Sequence, residues 1–319
     1  KVGVQSLKNI AGCGRLLKQF IIKLWREDLH KYLRSIGFSM YKKKTEIKTL
    51  LDKIQMENIA LTKITVTKEK ERLWEIRKDL SKHIGICLYG YLENLGTFIR
   101  EGFYPYIKDP ISSSTSPCTV QKHFDDEQYF GMLDDIRLGI SIIFKLANSF
   151  DFVDNDKIKK ANTCLFGFCD DGKVLLPLKK TLSQIEISKM KLLNRNLLIE
   201  AAKEGDEEAI DTLSTDELKT YSYINSHIPQ EDIYSLVDTL FMPYGMEADV
   251  YNIIGNIIGI KEEKNFISEE NLTILQLESN NIKLTVAMKK EDLQGEAVIG
   301  RRFKGNVWML GYVNSDSIN

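Results

Sequence analysis

Between Gly300 and Gly305, two arginines and a lysine (Arg301, Arg302, Lys304) sit among glycines, and Trp308 and Tyr312 follow in a strand-like run. Guanidinium groups donate paired hydrogen bonds to phosphate or carboxylate, and glycine turns let a chain fold around such a ligand. An aromatic ring beside them can stack on a base. Arg301, Arg302, Lys304 and Trp308 are therefore the candidate ligand-binding residues, for an anion, a nucleotide or a single strand. The competing expectation is a structural turn that closes a small sheet. Val307, Met309 and Val313 alternate with Trp308, Leu310 and Tyr312, so one of these faces must be core.

Carboxylates are the other dense feature. Residues 200–249 hold thirteen acids against only Lys203 and Lys219, a net of −11. Acids at helical spacing, such as Glu200, Glu204, Glu208 and Asp211, can bind metals or act as general acid and base, so a metal-dependent hydrolase is one reading. A carboxylate di-metal bundle usually adds Glu-x-x-His pairs, and this stretch has none. Elsewhere, His123 with Asp125, Asp126 and Glu127 is the one local mixture of imidazole and carboxylate. His30, His83, His123 and His227 share no metal-ligand spacing. The phosphate-loop, dinucleotide, nucleophile-elbow and H-E-x-x-H signatures are all missing from the sequence. No catalytic residue, metal site or cofactor is expected.

Whole-chain totals narrow the partner. The 319 residues carry a net charge of −1, with 43% hydrophobic and 28% charged residues, which is ordinary for a globular protein. A neutral molecule is not drawn as a whole to nucleic acid or an anionic membrane. The charge is instead sorted, because residues 1–53 hold thirteen bases and four acids, a net of +9. Such territories favour a homo-oligomer or a protein partner, with nucleic acid unfavoured. Cys13, Cys87, Cys118, Cys164 and Cys169 are scattered, odd in number and without a C-x-x-C pair, which suits a reducing compartment. No apolar run reaches the roughly 18 residues of a membrane span. The expectation is a cytoplasmic protein.

Residues 1–28 form a basic segment with Leu7, Ile10, Leu17, Ile21 and Leu24 at helical spacing, the pattern of a basic amphipathic helix. It is also read as not natively translated. Trp25–Arg26 can be encoded by a purine-rich ribosome-binding sequence, with Leu29 as the start.

The elements that must position these residues are legible in outline. Asp28 can cap a short helix with Leu29, Leu33 and Ile36 on one face and Gly37 closing it. Ile47, Leu50, Leu51 and Ile54 make the stripe of a second helix. From Thr62 to Ile107 the pattern turns to β, with residues 70–81 open between helix and strand and a hairpin link at Glu93–Gly96. Lys108 to Val120 reads as an exposed Ser/Thr/Pro loop. Leu138 to Leu146 is a strand, and Asp171–Gly172 signals a hairpin. Capping boxes at Ser183–Glu186 and Ser214–Glu217, with Met190, Leu193, Leu197 and Ala201 lining one side, predict helices in the acidic middle. Gly205 ends the first of them and Asp206 opens the next. Val250 to Ile260 is expected to be a central strand, and Ile282 to Met288 a strand with one buried and one wet face.

Four longer stretches carry a family resemblance. HKYLRSIGF (His30–Phe38), AAKEGDEEAIDTLS (Ala201–Ser214), FMPYGMEADVY (Phe241–Tyr251) and DLQGEAVIGRRFKGNVWMLG (Asp292–Gly311) resemble a domain-of-unknown-function family of Gram-positive, clostridial-type anaerobes. The resemblance runs from about residue 29 to the C-terminus. It implies a cytoplasmic bacterial protein beginning near Leu29 and supplies no activity.

The fold expected is α+β: an antiparallel sheet domain with N-terminal helices at 29–180, an acidic helical connector at 181–245, and a β-rich domain at 246–319. That last part is expected to be a small β-barrel or curled sheet, of which an OB-like barrel is one form. The function expected first is a non-catalytic binding or assembly protein using segregated charged surfaces. Anion, nucleotide or nucleic-acid binding through Arg301–Lys304 comes second, and a metal-dependent hydrolase using acids of 200–249 third.

Overall fold

The computed structural model describes residues 32–59, 62–66, 72–93, 97–122, 129–135, 140–152, 157–158, 161–178, 237–245 and 247–315, with separate positions between 190 and 215. These residues are mostly β, in largely antiparallel sheets with few helices. Helix α1, Lys44–Glu57, buries the expected stripe of Ile47, Leu50, Leu51 and Ile54. Ahead of it, residues 32–35 are helical and Gly37 takes φ +91°, the left-handed terminator that its type allows.

Four strands, β1 (Lys63–Val66), β2 (Arg72–Asp79), β3 (Ile84–Leu92) and β4 (Phe98–Ile107), form an antiparallel meander in chain order. The open choice at 70–81 thus falls to strand. Trp74 and Ile76 pack in the core while Glu75 and Arg77 point the other way, a period of two that tertiary burial enforces. The remaining strands make one large sheet: β5 (Cys118–Lys122), β6 (Tyr129–Asp135), β7 (Ile140–Leu146), β8 (Lys157–Ile158), β9 (Ala161–Phe168), β10 (Gly172–Leu175), β11 (Leu240–Pro243), β12 (Val250–Lys264), β13 (Asn271–Ser279), β14 (Ile282–Lys289), β15 (Leu293–Gln294) and β16 (Arg302–Ser315). Its order is β11-β12-β13-β14-β9-β16-β7-β6-β5-β8, with β10 against β15 and β16. β12 also pairs with β16, so the run β12-β13-β14-β9-β16 closes on itself.

The large sheet buries both faces. Trp308 and Leu310 join one core, shared with the meander and α1, while Val307, Met309 and Val313 join a second core on the opposite side. At least one core face was expected in this run, and both faces are core. The same holds for β14, where Ala287 lies in the first core although it stands on the face expected to be wet.

Several other expectations change. β9 and β10 do not form a hairpin across Asp171–Gly172; both run antiparallel to β16 along one edge. Gly167 faces Met309 and Gly172 faces Gly305, so five steps on one side meet four on the other, a bulge rather than a reversal. The Ser-rich loop is not exposed throughout. Ser113 and Ser114 are buried, and Ser114 bridges Thr163 and donates to the buried Asp135. The boundary between domains expected at 180 and 246 is crossed by main-chain hydrogen bonds, since β9 pairs with both β14 and β16. In the acidic middle, Gly205 has φ +91° and Asp206 Oδ1 accepts from the N–H groups of Glu208 and Ala209, as expected of a helix end and a following cap. Both capping boxes lie outside the described residues.

Candidate functional site: a buried polar seam between the sheets

Strand register builds the seam. In the meander, Arg77 stands opposite Cys87, and Cys87 opposite Tyr104; one row along, Asp79 faces Gly85 and Gly85 faces Tyr106. Polar side chains from three strands therefore share the face turned toward the large sheet. The glycines make room for the rings. A Cβ at Gly85 would lie 2.2 Å from the Tyr106 ring, and one at Gly102 would lie 2.4 Å from the Tyr89 hydroxyl. From the opposite sheet come Lys145 of β7, the carbonyl of Ala147 just beyond it, and Tyr312 of β16.

Their contacts run across the seam. Arg77 Nε donates to Glu75 at 3.2 Å, and its Nη2 donates to the Ala147 carbonyl at 2.5 Å. The Tyr104 hydroxyl donates to that same carbonyl at 3.1 Å. Lys145, 4% exposed, holds its ammonium 5.0 Å from the Tyr89 ring centre and 4.8 Å from that of Tyr104, within cation–π range. Tyr106 donates to Asp79 at 2.7 Å. A cavity of about 10 Å³ beside Lys145 has room for about one water.

Burial holds the thiol and the hydroxyls of this set in their protonated forms. Burial pushes the Cys87 thiol up to about 12, with the nearby Glu75 adding to it. Burial likewise raises Tyr104 and Tyr106, and lifts Tyr312 to about 12. Arg77 is held charged: burial opposes its charge, and Tyr104, Cys87 and Glu75 facing it more than offset that. A thiol far above neutrality carries little thiolate and is a poor nucleophile. Cys118 and Cys169 are also raised by burial, to about 11 and about 12, as packed thiols are.

A second polar knot ties the β2–β3 turn to β12. Glu263 accepts from Ser81 Oγ at 2.6 Å, from the His83 N–H at 3.0 Å and from the imidazole Nδ1. The tautomer protonated on Nδ1 leaves Nε2 to accept from Lys261, 3.3 Å away. Burial works against the Glu263 charge, yet the bonds from Ser81 and His83 outweigh it and hold this carboxyl below its ordinary value. The N-terminal turn is fastened similarly, through Arg34 to Asp292 at 2.5 Å and through Ser39 and Lys289 to Glu270.

The four residues expected from sequence to bind a ligand are dispersed. Trp308 is buried, stacks on Tyr32 with ring centres 4.2 Å apart, and donates its indole N–H to the buried Asp249 at 2.7 Å. It offers no open stacking platform, which corrects that expectation: the aromatic face is core. Arg302, 4% exposed, donates to the carbonyls of Leu176 and Val237 at 3.0 and 2.8 Å. Arg301 turns back to the Glu296 carbonyl at 3.0 Å, and Lys304 is half-buried in β16. Among the described residues, no group of three or more His, Cys, Asp or Glu is placed to hold a metal. His123 with its neighbouring acids, and six of the thirteen acids of 200–249, lie outside the described residues.

The profile of DUF3881, a domain of unknown function described for an E. rectale gene, matches residues 33–311. The chain belongs to that family. No curated protein and no solved structure matches it. The DUF3881 match runs from the N-terminal helical turn to Gly311, so the Glu263 knot and the seam, apart from Tyr312, fall inside the family region. Sequence reading missed them because their members are distant in the chain: Glu263 and His83 are separated by 180 positions. The available signal was weak, namely Glu75, Arg77 and Asp79 alternating with Trp74, Ile76 and Lys78.

Proposed function

We propose that this DUF3881 protein is a non-catalytic binding or assembly protein of the bacterial cytoplasm that works through separate charged surfaces. The observation that carries the reading is how the ionisable groups are used. Ionisable groups inside are engaged with one another across the seam, while two exposed stretches carry charge of one prevailing sign. On α1 and its approach, Lys42, Lys44 and Lys48 are exposed and have no ion-pair partner within 4.0 Å among the described residues. In the acidic middle, Asp206, Glu207, Glu208 and Asp211 are exposed. Exposed charges of one sign speed and orient docking more than they add affinity, so the contact is salt-sensitive. The closed run of five strands suits this role as a rigid body that holds the territories in place.

Sedimentation of the purified chain across a salt series tests the reading. Association at low salt that disperses as salt rises is the expected outcome. A monomer at every salt concentration, with no partner retained from lysate, removes it.

A further inference from the structure

We propose that the loop between β12 and β13 seats this protein on the anionic face of a lipid bilayer, with Phe266 as the apolar anchor. Three turns meet around Asn265, which is 1% exposed. Its Nδ2 donates to the Ile36 carbonyl at 2.7 Å, and its Oδ1 accepts from the N–H groups of Ile267 and Ser268. The Phe266 N–H donates to the Leu80 carbonyl of the β2–β3 turn at 2.7 Å. The loop is thereby fixed in place, yet Phe266 is 70% and Ile267 39% exposed. Met40, which follows the Ser39 that is bonded to Glu270 at the end of the loop, is 78% exposed.

Two features favour a bilayer over a protein partner. Every N–H group from Phe266 to Glu270 is bonded within the protein, to Leu80, Asn265 or Ser268. A peptide laid along the loop finds none of these donors to pair with, whereas an apolar medium requires that they be satisfied already. Charge is the second feature. The carboxylates of this loop and its flanking strand, Glu262, Glu263, Glu269 and Glu270, are engaged with Lys290, His83, Lys264 and Lys289. Lys42 lies two positions from Met40, and Lys82 lies in the turn that holds Phe266. Both are exposed, with no ion-pair partner within 4.0 Å among the described residues. An exposed aromatic ring beside unpaired lysines suits the boundary of an anionic bilayer, the ring among acyl chains and the ammonium groups at the headgroups. A net charge of −1 gives no attraction over the whole molecule, so the contact is local.

This inference goes beyond the assembly reading and stands or falls apart from it. The full chain is sedimented with vesicles of equal parts phosphatidylglycerol and phosphatidylcholine, and with vesicles of phosphatidylcholine as control. Binding to the mixed vesicles at low salt, weakening as salt rises, is the expected result. Phe266→Ser, at an exposed side chain whose N–H bond is kept, is expected to weaken it about tenfold, the worth of one buried aromatic ring. Lys82→Glu is expected to weaken it with the melting temperature unchanged. In Phe266→Trp, the fluorescence that the substitution adds is expected to be quenched by brominated acyl chains. Absence of binding to the mixed vesicles overturns the proposal, as does equal binding to phosphatidylcholine. Binding that Phe266→Ser leaves unaltered overturns it too, since the lysines alone are then responsible. Capture of a soluble protein through Phe266, without vesicle binding, gives the patch to a protein partner and also overturns it. A chain monomeric at every salt concentration that still binds vesicles sinks only the assembly reading; salt-dependent association without vesicle binding sinks only the bilayer.

Discussion

At the scale of single residues, buried charge in this protein is used as fastening. Glu263 gathers three donors from the β2–β3 turn, and its carboxyl is held below the ordinary glutamate value. A carboxylate depressed in the folded state contributes stability above its unfolded pKa, about 4.3, and loses it as pH falls through the folded value. Acid unfolding of the wild type therefore steepens below about pH 4.3, and Glu263→Gln flattens the curve there; equal slopes for both proteins would show that the knot carries no linkage. Trp308→Ala removes a large buried ring and leaves Asp249 without its indole donor. It is expected to cost about 3–5 kcal/mol in a urea melt. The four described cysteines, all buried, should react slowly with a thiol reagent until the protein unfolds. Fast labelling of Cys87 in the native protein, located by peptide mass, would contradict the thiol environment derived for it.

At the scale of elements, register decides which polar groups meet. The row of Arg77, Cys87 and Tyr104 exists because β2, β3 and β4 pair in one frame, and a one-residue slip would turn every member to the opposite face. Gly85→Ala is expected to destabilise by about 1–3 kcal/mol, because the added methyl meets the Tyr106 ring. A neutral result in thermal melts would mean that the ring moves aside freely. Elements with local signals were legible in the sequence. The α1 stripe, the Gly37 terminator, the Asp206 cap and the long strand from Val250 all follow from spacing or from a single residue type. Asp171–Gly172 misled for a physical reason. The dipeptide supplies a sharp local bend, and whether that bend reverses the chain or offsets it depends on β16, which lies 130 positions further on. Trp308 misled similarly. Its alternation shows two faces, but that both are covered depends on the meander folding over the large sheet.

For the whole molecule, the central claim of the proposal is that charge has two uses: pairs engaged inside, and two exposed patches left for docking, basic at Lys42, Lys44 and Lys48 and acidic at Asp206, Glu207, Glu208 and Asp211. Arg302 links this scale to the last. Its guanidinium donates to Leu176 and to Val237, so the chain leaves the sheet and rejoins it at one point, with the acid-rich stretch between. Arg302→Met is expected to cost about 3 kcal/mol by leaving two carbonyls without their charged donor. The site expected at Arg301–Lys304 was legible as a cluster in sequence but not as a geometry, because neighbouring strand residues point to opposite faces. The most direct test of the central claim reverses the exposed lysines together, Lys42→Glu, Lys44→Glu and Lys48→Glu, and follows low-salt sedimentation beside thermal stability. Loss of association with an unchanged melting temperature is the predicted result. Association that persists at wild-type strength in the reversed variant would contradict it.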